Sequence, residues 1–187
     1  MLIEHDSYQK VTRETSGCDE LPILALGLVG ETIEFLSSYE SIAKPGHENS
    51  VFESCTHIIK EAGDVLWYAA RIMDVMGIKL SEWRDKGTVD NFNKSCVKKK
   101  RRFRILENAA KVSEHIKKVY GHGHDLDKCL VHEALSDVIR DISHMLRVVH
   151  GPTGLDVAMN VNIEKLKKRY PNGFSTQDSI NRSFEDC

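Results

Sequence analysis

Two pairs of carboxylates carry the spacing best suited to chemistry. Glu31 and Glu34 lie in GLVGETIEF, and Glu61 and Asp64 lie in KEAGDVLWYAARIMD. Residues three apart share a helix face, with Cβ atoms roughly 5–6 Å apart. On a helical projection Glu31 and Glu34 fall beside Leu24, Leu28 and Phe35. Glu61 and Asp64 fall beside Val65, Tyr68 and Ile72. Both pairs are therefore expected to face the apolar interior. Desolvation and mutual repulsion raise the pKa of such acids unless something compensates. Nearby Lys or Arg would do so, and so would a hard divalent cation. No basic residue shares these faces at helical spacing, which favours the cation. Mg²⁺ takes oxygen ligands in octahedral geometry, completed by waters and substrate phosphates. A single E-x-x-E is most often capped or paired at the surface. Two such pairs on the inner faces of consecutive helices arise by chance far less often.

The elements that must position these acids follow from the same pattern. The second helix is predicted from about Leu21 to Ala43, with Pro22 in its first turn. Ile23, Leu26, Val29, Ile33 and Leu36 occupy the face opposite the acids. A helix apolar on both sides belongs at the centre of a bundle or at an oligomer interface. Gly27 and Gly30 each cost about 1 kcal/mol relative to Ala inside a helix. Either they let a neighbour approach the backbone or they are merely tolerated. Pro45-Gly46 ends this helix, and a third runs from Val51 to about Met76, with Gly77 as its stop. Tyr68 is on the acid face, where it would touch a nucleotide or pack in the core. The first 17 residues suggest a short helix in which His5 and Tyr8 serve the surface or packing.

E-x-x-E, a spacer, then E-x-x-D followed by V-L-W-Y resembles the MazG-like all-α nucleoside triphosphate pyrophosphohydrolases. The C-terminal NIEKLKKRYPNGFSTQDSINR resembles the end of the same family, and the two blocks cover about half the chain. The resemblance implies that Glu31, Glu34, Glu61 and Asp64 hold Mg²⁺, or Mn²⁺, against a triphosphate. It implies that the products are a nucleoside monophosphate and pyrophosphate. It also implies a leading helix packed over the acid helices.

The second half reads like the first again. NAAKVSEHIKKVYGHG mirrors VGETIEFLSSYESIAKPGH, and HEALSDVIRDISHML mirrors KEAGDVLWYAARIMD. Glu114 falls on Glu34 and Asp137 on Asp64. Lys111, however, falls on Glu31, Ala134 on Glu61, and Arg140 on Trp67. Val112, Ile116, Leu135, Val138, Ile139, Ile142 and Leu146 form one apolar stripe. Glu107, Lys111, Glu114, Glu133, Asp137, Arg140 and Asp141 are placed on the opposite, polar side. This copy reads as a structural pseudo-domain.

The last helix is expected from about Leu155 to just before Pro171. Asn162, Lys165 and Arg169 lie close to one stripe and suit ribose hydroxyls and phosphate oxygens. The plainer reading is a solvated basic face at a helix C-terminus. The resemblance favours function for at least Lys165, and it suggests that this helix completes the acid site of the first copy. Asn91-Phe92-Asn93-Lys94 is a loose equivalent after the first copy. The basic cluster Lys98 to Arg102 reads as a linker or helix end before a nucleic-acid patch. His122 and His124 in GHGH, like His47 after Pro45-Gly46, read as surface turns, since two histidines without a third ligand are a weak metal signal.

The 187 residues allow one or two domains, and a net charge of −2 predicts no general attraction to nucleic acid or anionic membranes. Cysteines 18, 55, 96, 129 and 187 are odd in number and form no C-x-x-C, which suits a reducing cytoplasm without disulfides or zinc. No apolar run of signal-peptide length and no membrane span is expected. The expected fold is an all-α helical bundle of two tandem MazG-like units, residues 1–97 with the intact site and residues 98–187 degenerate. A homodimer of such chains would form a pseudo-tetramer. The expected function is a Mg²⁺-dependent hydrolase acting on a nucleoside triphosphate. A non-catalytic nucleotide-binding or helical assembly module is the alternative. A nucleic-acid binder using Lys98 to Arg104 is a third.

Overall fold

The computed structural model describes residues 3–41, 51–83 and 95–177. It is all-α. Six helices follow in order: α1 (His5–Glu14), α2 (Leu21–Ser41), α3 (Val51–Val75), α4 (Ser95–His122), α5 (Lys128–His150) and α6 (Gly154–Arg169). A 3₁₀ turn spans Leu80–Glu82. No strand occurs among the described residues.

Local chemistry sets the helix ends. Gly77, at φ 72°, closes α3. The Gly77 amide donates to the Asp74 carbonyl at 2.9 Å and Ile78 to Met73 at 2.8 Å, a Schellman pattern that needs a left-handed residue. Helix α5 opens on Asp127, whose side chain accepts from the Leu130 amide at 3.0 Å.

Helix α2 packs on α3 and α4 on α5, and α2 also packs on α4. Helices α1, α5 and α6 lie against α3. One continuous core results. Leu28, Phe35, Ile58 and Ile72 from the first half share it with Val112, Ile116, Leu135 and Ile139 from the second. The predicted boundary between residues 97 and 98 falls inside α4. The two halves are thus joined by burial rather than standing as separate cores.

Three sequence expectations change. Helix α2 is not buried all round: Leu24, Leu28, Thr32 and Phe35 are inside and Val29 and Leu36 are partly buried, whereas Glu34 is exposed and Ile23, Leu26 and Ile33 are 50%, 66% and 49% exposed. This helix is also long and apolar enough to cross a membrane by length and composition, contrary to the expectation that no stretch is. Its midpoint carries Glu31 and Glu34, which would be expensive in hydrocarbon. The basic run lies in the first turns of α4, and its arginines are bound to acids. Arg101 and Arg104 meet Asp141 from α5, and Arg102 lies 3.1 Å from Glu40. Arg140 and Asp141 are consequently buried and not on a polar outer face. The two guanidiniums compensate the Asp141 charge inside the core.

The glycines of α2 divide. A Cβ on Gly27 would lie 2.1 Å from the Tyr68 ring, so this position must be bare. Gly30 faces open space. Cys18, Cys55 and Cys129 are free thiols. His47, Pro45-Gly46 and Asn91 to Lys94 lie outside the described residues.

Candidate functional site

Helices α2 and α3 bring Glu31, Glu34 and Glu61 together, with one oxygen from each within 4.8 Å of the others. Their pairing depends on the close contact of Tyr68 with bare Gly27, which lets α3 approach α2 beside the acids. Asp64 is turned instead toward α6. Its Oδ1 accepts from Asn162 Nδ2 at 2.8 Å, and both its oxygens accept from Lys165 Nζ. The long reach of Lys165, 101 residues on in sequence, is possible because α6 lies directly on α3.

Gly63 makes that approach possible. A Cβ there would sit 2.8 Å from Asn162 Cβ and 2.9 Å from the Ala158 carbonyl oxygen. The residue before Asp64 must therefore be glycine for α6 to deliver Asn162 and Lys165.

The acids line a cleft of about 640 Å³, in the size range of small-molecule sites. Its lining includes Glu31, Glu34, Glu61, Asp64 and Lys165 together with the aromatic residues Trp67, Tyr68, Tyr170 and Phe174. Lys60, Lys168 and Arg169 also contribute to the lining. Trp67 and Tyr68 meet edge to face at 4.9 Å, and the Trp67 Nε1–H donates to Thr15 Oγ1 at 3.1 Å. Phe174 rests on Gly17, where a Cβ would collide with its ring at 2.2 Å.

Electrostatics match the crowding. Burial, then the charges of Asp64, Glu34 and Glu61, push the Glu31 carboxyl up to about 7 against the pull of Lys165. Glu61 is also raised, chiefly by burial, with Asp64 and Glu34 adding to it and His57 and Lys165 opposing. His57 Nδ1 lies 3.4 Å from Glu61 Oε1 at i, i+4. This corrects the expectation that no basic side chain shares the acid faces. The spacing was visible in the sequence, because His57 precedes Glu61 by one turn.

The donor set fits a hard cation. Three carboxylate oxygens converge, and burial with mutual repulsion raises Glu31 and Glu61, a cost that a divalent ion would relieve. Among the described residues no other group of three His, Cys, Asp or Glu side chains converges in this way. In the second half Lys111 and Glu114 are exposed, and Glu114 pairs with Lys117 at 2.5 Å. Ala134 is buried, and Asp137 pairs with Arg140 at 2.8 Å. His122 and His124 are exposed on their turn.

Of the α6 stripe, Lys165 and Arg169 reach the cleft. Asn162 does not line it: the residue is 1% exposed, and both ends of its amide are bonded inside the protein. Tyr8 is fully buried, and its hydroxyl donates toward Asn162 Oδ1 at 2.9 Å. His5 serves packing, accepting from Trp83 Nε1 at 3.0 Å. Sequence reasoning gave Tyr8 only a surface or packing role and passed over Gly63. Helical spacing carries no signal for contacts between distant helices. Comparisons with protein-family models, curated proteins and solved structures find no match to this chain.

Proposed function

We propose that this chain is a Mg²⁺-dependent nucleoside triphosphate pyrophosphohydrolase of MazG-like character, with Mn²⁺ as a substitute ion. The carrying observation is the convergence of Glu31, Glu34 and Glu61 in a cleft that also receives Lys165. Glu31, Glu34 and Glu61 would hold the ion, with Asp64 at its edge. The ion, when bound, would neutralise phosphate charge and lower the pKa of an attacking water. Lys165 and Arg169 supply cations for phosphate oxygens. The aromatic residues of the lining, Tyr68 among them, offer a stacking surface for a base. In the reaction water oxygen bonds to the α-phosphorus, the bond from that phosphorus to the α–β bridging oxygen breaks, and pyrophosphate leaves. The water proton passes to one of the site carboxylates.

Glu31 with a pKa near 7 is partly protonated at neutral pH without a cation, so ion binding must expel that proton. The degenerate second unit acts as scaffold and lends α6 to the site. A nucleotide substrate suits a cytoplasmic protein that needs neither membrane nor nucleic acid. A helical assembly module is the second reading, favoured by exposed Ile23, Leu26 and Ile33. The same face would serve a homodimer.

The test is a panel of ribo- and deoxyribonucleoside triphosphates with Mg²⁺ or Mn²⁺. Release of monophosphate and pyrophosphate in equal amounts supports the hydrolase. Orthophosphate release, or no turnover of any member, refutes it.

A further inference from the structure

The contacts of Asp64 are asymmetric. Oδ1 accepts from Asn162 and from Lys165, which fills its two lone pairs. Oδ2 accepts from Lys165 alone among the described contacts, so one lone pair remains for the cleft. Asn162 is locked in turn. Its Oδ1 accepts from the Tyr8 hydroxyl at 2.9 Å, so its Nδ2 is the end presented to Asp64 at 2.8 Å. The reversed amide would set an oxygen against a carboxylate. The Tyr8 hydroxyl has another acceptor, the Gly63 carbonyl at 3.2 Å, so it sits between two acceptors as a donor. Three elements thus converge behind one carboxylate: α1 through Tyr8, α6 through Asn162, and α3 itself.

We infer that Tyr8 is a positioning residue: through Asn162 it ties down Asp64 Oδ1 and leaves Oδ2 as the oxygen that works in the cleft. This role rests on the hydrolase reading, and Asn162 is then part of the support for Asp64, not a contact for the nucleotide. A buried polar chain with every member bonded fixes one geometry, which catalysis by positioned carboxylates requires.

Tyr8→Phe keeps the ring and removes only the hydroxyl. It is expected to lower kcat about tenfold while KM stays within about twofold, because the loss falls on geometry at the reacting centre. Asn162→Ala should lower kcat at least as much, and adding Tyr8→Phe to it should do no further harm. A hydroxyl that only packs would lower thermal stability and leave kcat alone. A second readout needs no turnover: the Asp64 carboxyl ¹³C resonance and the Asn162 side-chain amide resonances should both move in Tyr8→Phe. If the wild-type chain hydrolyses no nucleotide, the hydrolase reading fails, and these resonances alone decide the positioning chain. Wild-type kcat in folded Tyr8→Phe, or unmoved Asp64 and Asn162 resonances, would overturn it.

Discussion

Glu31, Glu34 and Glu61 crowd together on α2 and α3, with His57 beside Glu61 and Lys165 bound to Asp64. On α4 and α5 the acids are handled differently. Asp141 is buried between Arg101 and Arg104, Asp137 meets Arg140, and Glu114 meets Lys117. One helix pair thus neutralises these carboxylates with basic side chains, and the other leaves its own for something from outside. Internal pairing leaves Asp141, Asp137 and Glu114 compensated, with no need of a cation. Burial, with crowding added and too few cations beside it, leaves Glu31 and Glu61 raised, and that is the signature of the first pair.

The largest effect should come from breaking the crowded side. Glu61→Gln or Asp64→Asn should lower turnover by about 10³-fold or more, the scale of losing a key electrostatic group in a site. Far-UV circular dichroism should stay that of the wild type. Near-normal rates in both variants would remove these acids from the chemistry.

Breaking the paired side should damage stability instead. Asp141→Ala removes a fully buried acid that Arg101 and Arg104 both meet and should cost about 3–5 kcal/mol, the range for breaking a buried pair, read from denaturant midpoints. A shift below about 1 kcal/mol, the range of surface pairs, would show that the cluster is not structural.

Lys165 tests the link between the halves. Lys165→Ala should weaken kcat/KM by about 1.5–3 kcal/mol, the range for a charge-assisted hydrogen bond. Wild-type kinetics for both Lys165→Ala and Arg169→Ala would show that α6 only packs.

Much of this was legible in the chain, for identifiable reasons. The E-x-x-E and E-x-x-D spacings placed Glu31, Glu61 and Asp64 on half-buried faces, though Glu34 is exposed, and the apolar stripe from Val112 to Leu146 marked the second core face, because both are properties of single helices. Gly77 announced its own helix end. The partners of these residues were not legible. Nothing local says that Asp141 meets Arg101 and Arg104, that Tyr8 meets Asn162, or that Gly63 is bare for α6. Those facts depend on how distant helices cross. The outer face of α2 was read as buried because periodicity reports apolarity and not what covers it.

Acidity sharpens the comparison further. With metal removed by a chelator, Glu31 keeps its proton to about pH 7 when folded, whereas its ordinary value is 4.5. The folded state then holds more protons across that window, so this residue's stabilising contribution is present below pH 4.5 and lost as pH rises toward 7. The melting temperature of the metal-free protein should fall over that range, and Glu31→Gln should flatten the fall. An unchanged slope would mean that Glu31 is not crowded in solution.

The smallest effects belong to the second pair. Glu114→Gln and Asp137→Asn should leave most activity, and Glu114→Gln should barely move the denaturant midpoint because its pair with Lys117 is exposed. Loss of turnover in a folded Asp137→Asn variant would point to a second working site.

The contrast between the two helix pairs can be measured without any substrate. Mn²⁺ titration of the chain, followed by electron paramagnetic resonance, counts bound ions directly. One tight site per chain is expected, abolished by Glu31→Gln or Glu61→Gln and unaffected by Asp137→Asn. Absence of a tight site, or a site indifferent to Glu31 and Glu61, would contradict the assignment of the crowded acids to a cation.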